Sequence, residues 1–292
     1  MHDRLGLNLH RDAWPTARVL ATHEEAGVRW LQVHTPPAPM LADRGRCRRH
    51  ARALRAALDT SSLRLVLHAP DDLSAGTIEN DRALAGLLDY AAEAGAELVA
   101  YHGLNFVDAG GPDRPRAHER ARLEEGSLLG HLQRAHTLGV TIAIENLAPV
   151  HPGPPRLCHD PPAVRDLVRR LASPAAGMLL DVGHLHITAD ASHSDPALVA
   201  AAVAPDVVLF HAHDNLGVRR HDIDAPGVDP LKLDLHLPPG RGSLPWGRIA
   251  GVLREHDSPL LLEVEPSQRP VLPELTSALL RALAAPSERA AA

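Results

Sequence analysis

The chain has 292 residues, a formal net charge of −6 with histidine neutral, 45% hydrophobic residues and only 2% Phe, Tyr and Trp. Leu, Val, Ile and Ala must therefore fill any large core, and no basic tail accompanies the acidic balance to grip a phosphate backbone. Two distant cysteines, Cys47 and Cys158, make neither a disulfide scaffold nor a thiolate zinc site.

The opening "MHDRLGLNLHRDAW" carries no basic-then-apolar signal segment, and no apolar run reaches membrane-spanning length, so a soluble cytoplasmic protein is expected. Strand-like runs begin with "LGLNLH" from Leu5, "WLQVHT" from Trp30 and "LRLVLHAP" from Leu63. The stretch "ENDRALAGLLDYAAEAG" then places Leu84, Leu87, Leu88 and Ala91 on one helical face, with Gly95 where a helix stop is wanted. "ELVAYHG" from Glu97 precedes a helical segment over about 114–139, and "VTIAIENL" from Val140 leads into the Pro-rich "PVHPGPPRLCHDPP", read as a rigid, lid-like loop. A helix over 160–173 follows, then "GMLLDVGHL" from Gly177, "VVLFHAHDN" from Val207, a long polar loop, "PLLLEVEP" from Pro259 and a closing helix over 273–285. Eight alternating units without a linker predict one domain over residues 1–292, a closed (β/α)8 TIM barrel with a disordered tail in its last few residues. The alternative, an open doubly wound sheet, lacks a glycine-rich phosphate loop after the first strand.

In such a barrel the active site lies at the C-terminal ends of the strands, and here six strands end in a possible metal ligand. These are His68, His102, Glu145, Asp181 with His184 just beyond, His211 with His213, and Glu263 with Glu265. Any one of them could be an ordinary hydrogen-bonded group; the recurrence across six strands needs another explanation. Neighbouring strand ends lie roughly 5 Å apart, so carboxylates there repel one another and resist burial unless a cation neutralises them. Glu145, Asp181 and Glu263 therefore imply a divalent metal, with His211 as fourth ligand. Oxygen and imidazole ligation suits zinc, manganese, cobalt or ferrous iron.

The segments "LHAP" (67–70), "YHG" (101–103), "AIENL" (143–147), "LLDVGH" (179–184), "HAHDN" (211–215), "DLHLPPGRGSLPW" (234–246) and "LLEVE" (261–265) occur in the order of a known superfamily. The chain resembles the xylose-isomerase-like TIM barrels, which include sugar phosphate isomerases and epimerases and the endonuclease IV group. In the epimerase branch the resemblance implies one ion on Glu145, Asp181, His211 and Glu263. In the endonuclease IV branch it implies three: His68 and His102 with bridging Glu145; Asp181, His211 and Glu263; and His184, Asp234 and His236. His213 stands where that branch usually has asparagine and could touch substrate, while Asp222 and Asp224 need not converge on the site. Gly240-Arg241-Gly242 replaces the usual Gly-Glu-Gly, which makes Arg241 a candidate anchor for a substrate carboxylate or phosphate.

The expected function is therefore a metal-dependent isomerase or epimerase of a ketose or polyol derivative, with Glu145 and Glu263 as base and acid and one to three divalent ions as cofactor. The alternatives are a multinuclear phosphodiester hydrolase and a multinuclear-iron redox enzyme of a biosynthetic pathway. A small-molecule substrate is expected rather than nucleic acid, and barrels of this kind are often homodimers. Asn8, His10, Gln32, His34 and Lys232 could face the mouth, with His34 taken as a substrate contact. Trp246 is read as a packing residue at a helix start, and His151 and His159 stay unassigned.

Overall fold

A period of two turns alternate residues of each strand toward the barrel axis and toward the outer helices. In the computed structural model, which describes residues 2–106, 114–149, 156–218, 233–269 and 271–285, the strands pair in parallel in sequence order and close into a barrel. They are β1 (Leu5–Asn8), β2 (Trp30–His34), β3 (Arg64–His68), β4 (Ala96–Tyr101), β5 (Thr141–Glu145), β6 (Ala176–Asp181), β7 (Val207–Ala212) and β8 (Leu260–Leu262). Among the described residues the helices are α1 (Ala17–Glu25), α2 (Ala38–Ala42), α3 (Arg44–Leu58), α4 (Ile78–Ala94), α5 (Arg114–Leu138), α6 (Pro161–Leu171), α7 (Val182–Ser192), α8 (Pro196–Val203), α9 (Trp246–Glu255) and α10 (Leu272–Ala284). This is the expected single-domain TIM barrel.

Inward residues Trp30, Val66, Leu98, Ala143, Leu179, Leu209 and Leu261 form an axial core. Trp30 fills its lower end, with the Arg64 guanidinium 3.9 Å from the ring centroid. Gly6 faces the same space, where a Cβ would lie 1.9 Å from Leu261 Cδ2, so only glycine fits on β1. Outward residues pack with the helices into one mainly aliphatic layer, as the scarcity of aromatics requires. Leu179 is fully buried at the axis, and truncation to alanine there should cost about 2–5 kcal/mol.

Local signals set the helix ends. Thr77 caps α4 by accepting from Asn80 N at 3.2 Å, and Gly95 ends it at φ 81°. One boundary differs from the sequence reading: β6 stops at Asp181, and "VGHL" opens α7. The Asp181 side chain accepts from His184 N at 2.8 Å, so it caps a helix that apolar content alone had made look like strand. The expected C-terminal tail lies outside the described residues, as do His151, Asp222, Asp224 and Lys232. Among the described residues, no helix is long and apolar enough to cross a membrane.

Candidate metal centre

Strand alternation builds the site. One period beyond the inner layer, Val66 leads to His68, Ala100 to His102, Ala143 to Glu145, Leu179 to Asp181, Leu209 to His211 and Leu261 to Glu263. The register puts Asp181 directly opposite His211, and His34 opposite His68. Apolar side chains below and polar ones above thus follow from the same pleat.

Glu145, Asp181, His211 and Glu263 form a cluster whose ligand atoms all lie within 4.8 Å of one another. His211 Nδ1 is 3.2 Å from both Glu145 Oε1 and Glu263 Oε2, and 3.9 Å from Asp181 Oδ2. The other ring nitrogen donates to Gln32 Oε1 at 2.8 Å, while Gln32 Nε2 and Asn8 Nδ2 donate to Glu263 Oε1 at 3.0 and 2.8 Å. Because an amide oxygen can only accept, Gln32 fixes the His211 proton on Nε2 and leaves Nδ1 for the cluster.

Among the described residues three further clusters adjoin this one. His68, His102 and Glu145 meet on one side. His68 Nδ1 donates to Ala69 O at 2.7 Å, which turns Nε2 toward Glu145 Oε2 at 3.9 Å; His102 Nε2 is 3.4 Å from the same oxygen. On the other side stand His184, His213, Asp234 and His236. His184 Nε2 and His236 Nε2 approach Asp234 Oδ2 at 3.3 and 2.9 Å, while their Nδ1 atoms donate to the carbonyls of Asn146 and Glu263. His213 is fully buried, 2.9 Å from Asp181, and its ring stacks on His236 at 3.9 Å. Gly183 makes room for it: a Cβ there would lie 2.2 Å from the His213 ring.

Four carboxylates gathered in this volume call for positive charge. Burial pushes the Glu145 and Glu263 carboxyls up, but His211 beside both, with His102 and His236, overrides it and holds them well below the usual range. His211 is held well above the ordinary imidazole value, against burial, by Glu263 and Glu145. Asp234 is likewise held well below its usual range, while His184 rises well above and His236 to about 9, because burial is outweighed by these ion pairs. His68 moves the other way, lowered by burial and by neighbouring His102, and His34 falls to about 4 through burial and His68. Within the clusters the demand for charge is met by protons on imidazoles, with Arg269 and Arg11 near enough to feel Glu263.

A divalent cation fits the donor set better. Glu145 Oε2 is buried without a hydrogen-bond partner between the imidazoles of His68 and His102. Backbone carbonyls or Gln32 fix the orientation of His68, His184, His211 and His236, as metal-binding imidazoles require. His236 is held with φ 48°, a left-handed backbone that costs a non-glycine residue free energy.

A cavity of about 910 Å3 opens above these clusters. Of the residues expected around it, Asn8, His10 and His34 line it, whereas Gln32 and His213 lie beneath. Arg241 is exposed on the Gly240–Gly242 turn and does not line the cavity. The turn is held by Asp214, whose carboxylate accepts from Gly240 N, Leu244 N and Trp246 Nε1 at 2.9, 3.0 and 2.9 Å. Trp246 opens α9 as a packing residue, and His159 O accepts from Thr188 in the lid-side segment. Sequence reasoning missed Asp71, which groups with His34 and His68, and the buried Asn146, which brackets Asp181 through its backbone. Both stand close to recognised ligands, in "LHAPD" and "IEN", the signal that could have found them.

Residues 20–284 match the family described as "Xylose isomerase-like TIM barrel". No curated protein matches the chain. Among solved structures, a D-tagatose 3-epimerase-like protein is 18% identical, with a TM-score of 0.70 over 96% of this chain and 97% of its own. The 3-keto-D-glucoside 4-epimerase YcjR from E. coli is 12% identical, with a TM-score of 0.69 over 96% and 98%. The IOLI protein with a bound zinc atom is 15% identical, with a TM-score of 0.65 over 96% of each chain. At these identities the solved structures share a fold, whereas the family match spans nearly the whole sequence, and the chain belongs to the xylose isomerase-like TIM barrel family.

Proposed function

We propose that the chain is a divalent-metal-dependent isomerase or epimerase that moves a proton α to a carbonyl of a ketose or related polyol derivative. The observation that carries this reading is the pair of buried glutamates, each with an oxygen 3.2 Å from His211 Nδ1. Glu145, Asp181, His211 and Glu263 would hold the ion; zinc, manganese, cobalt or ferrous iron suits them, and zinc is bound by the similar IOLI protein. Such an ion polarises the carbonyl and neutralises charge developing on its oxygen.

The chain's own residues supply the proton chemistry. Glu145 and Glu263 reach the substrate from β5 and β8. One carboxylate takes the proton as the C–H bond breaks, and the other returns a proton to the opposite face, which inverts the carbon. His34, His68 and His102 on the cavity wall can orient hydroxyl groups, and His34, neutral at physiological pH, can both donate and accept. The epimerases among similar structures support a small sugar as substrate, which the cavity accommodates. The test is solvent deuterium exchange into D-fructose, D-tagatose, D-psicose and their phosphate esters by metal-loaded protein. Exchange that falls at least about 100-fold in Glu145→Gln and Glu263→Gln is expected. No exchange into any ketose tested overturns the reading.

A second reading, phosphodiester hydrolysis, is favoured by the five further ligands His68, His102, His184, Asp234 and His236, which one ion leaves unused. Clustered divalent ions supply an activated water and neutralise a leaving oxygen. Two or three ions per chain, with hydrolysis of bis(p-nitrophenyl) phosphate and no α-proton exchange, would establish it instead.

A further inference from the structure

Four arginines line the cavity, and they are not equivalent. Arg11 is ion-paired with Asp71. Arg269 donates Nη2 to the carbonyls of Asn8 and Val264 at 2.9 and 3.1 Å. Arg120 stands over the Phe106 ring at 4.9 Å without an ion pair among the described residues. Arg156 has neither an ion pair nor a hydrogen-bonded side chain among them, and its Nε is buried with no acceptor.

Its backbone, by contrast, is well fixed. Leu147 N donates to Cys158 O at 3.0 Å, tying the segment that carries Arg156 to the residues just beyond Glu145. Arg156 O accepts from His159 N at 3.3 Å and also from the His159 ring, while His159 O accepts from Thr188 Oγ1 at 2.9 Å. A guanidinium held on such a frame, facing a cavity and with no counter-ion among the described residues, is arranged for an anionic ligand with a planar or tetrahedral set of oxygens. Leu147, Pro149 and Phe106 supply apolar wall in the same cavity.

We propose that Arg156, assisted by Arg120 from the same cavity, receives an anionic group of the substrate, a phosphate or a carboxylate, while the reacting carbon lies between Glu145 and Glu263. The substrate class becomes an acidic sugar or polyol, and the anion-anchoring role expected of Arg241 falls to Arg156. The placement of the reacting carbon rests on the isomerase reading; the anion subsite does not.

The experiment is calorimetric titration of purified metal-loaded protein with inorganic phosphate and, separately, acetate. Arg156→Met should weaken the bound anion at least tenfold and Arg156→Lys by less, with metal content and Tm unchanged. If Arg156→Met lowers Tm, Arg156→Lys and Arg120→Met carry the comparison, each expected to weaken the anion at least threefold. Preference for phosphate assigns a phosphate ester, and preference for acetate assigns a carboxylate; either supports the subsite. Equal affinity in wild type and variants, or no binding of either anion by the wild type, overturns it. Anion binding through Arg156 without α-proton exchange leaves the subsite standing and removes the isomerase reading.

Discussion

The Glu145–Asp181–His211–Glu263 cluster and the neighbouring His184–Asp234–His236 cluster use the same residue types in different frames. In the first, side chains come from β5, β6, β7 and the end of β8, and none is more than 11% exposed. In the second, His184 stands on the first turn of α7, while Asp234 and His236, 29% and 20% exposed, come from a loop. Strand ends in a closed barrel are fixed by hydrogen-bonded neighbours on both sides. The loop is held from outside the sheet, by His236 Nδ1 to Glu263 O, by Glu265 N to His236 O and by the paired backbone bonds between Asp214 and Leu237. Under the proposed function, the difference suits a resident ion at the buried inner cluster, with the more exposed outer cluster free to take a second ion or to touch substrate.

The largest expected effect breaks the inner cluster. Glu145→Ala removes a side chain shared by two ligand groups and should abolish tight metal binding and lower turnover at least about 1000-fold, read by elemental analysis beside activity. An effect below tenfold would mean that the shared carboxylate has no central role.

Next comes the support under His102. Glu124 on α5 is fully buried and accepts from Tyr101 Oη at 2.6 Å and from Leu104 N at 2.8 Å, and Tyr101 Oη in turn accepts from Ala75 N. Both donors favour the ionised carboxylate, yet burial raises the Glu124 carboxyl to about 7 from an ordinary 4.5. The folded state therefore holds the proton more tightly than the unfolded chain, and this group's contribution to stability falls as pH rises from about 4.5 to about 7. At about 1.4 kcal/mol per pH unit, the difference between 7 and 4.5 amounts to roughly 3 kcal/mol. Glu124→Gln should flatten that part of the pH–stability curve, measured by urea unfolding at several pH values; parallel curves for the two proteins would refute the assignment.

A smaller effect is expected at Gln32, which touches His211 and Glu263. Gln32→Leu should weaken inner-site metal affinity about 10–100-fold by freeing the His211 ring, with little change in fold stability. Competition with a chromophoric chelator reads this directly.

The smallest effect on metal content is expected outside. Under the isomerase reading, Asp234→Ala and His236→Ala leave about one ion per chain in place and lower catalysis through substrate contacts. Loss of an ion in these variants would make the outer cluster a resident metal site and move the balance to hydrolysis.

The eight strands and the barrel could be read from short apolar runs recurring between helical segments, and the six polar strand ends from where those runs stop, because both are local properties that closure of the sheet does not change. Asp234 and His236 were reached through resemblance rather than pattern, since nothing local tells a loop carboxylate from a ligand. His184 stands just beyond the strand end as expected, but the apolar "VGHL" was read on with the strand run, and only the bond from His184 N to the Asp181 carboxylate reveals a helix start. Arg241 looked like the anion anchor from its place in the motif, but it does not line the cavity, and its turn is held by Asp214, a contact between residues 26 apart in sequence.

The sequence by itself determined the fold class, the strand order and the residue types gathered at the barrel mouth, since these follow from hydrophobic period and strand ends. Only the tertiary structure decided which imidazole nitrogen faces the carboxylates, and that Arg156 rather than Arg241 faces the cavity. Those outcomes depend on hydrogen bonds and packing between segments distant in the chain, whose geometry exists only once the barrel has closed.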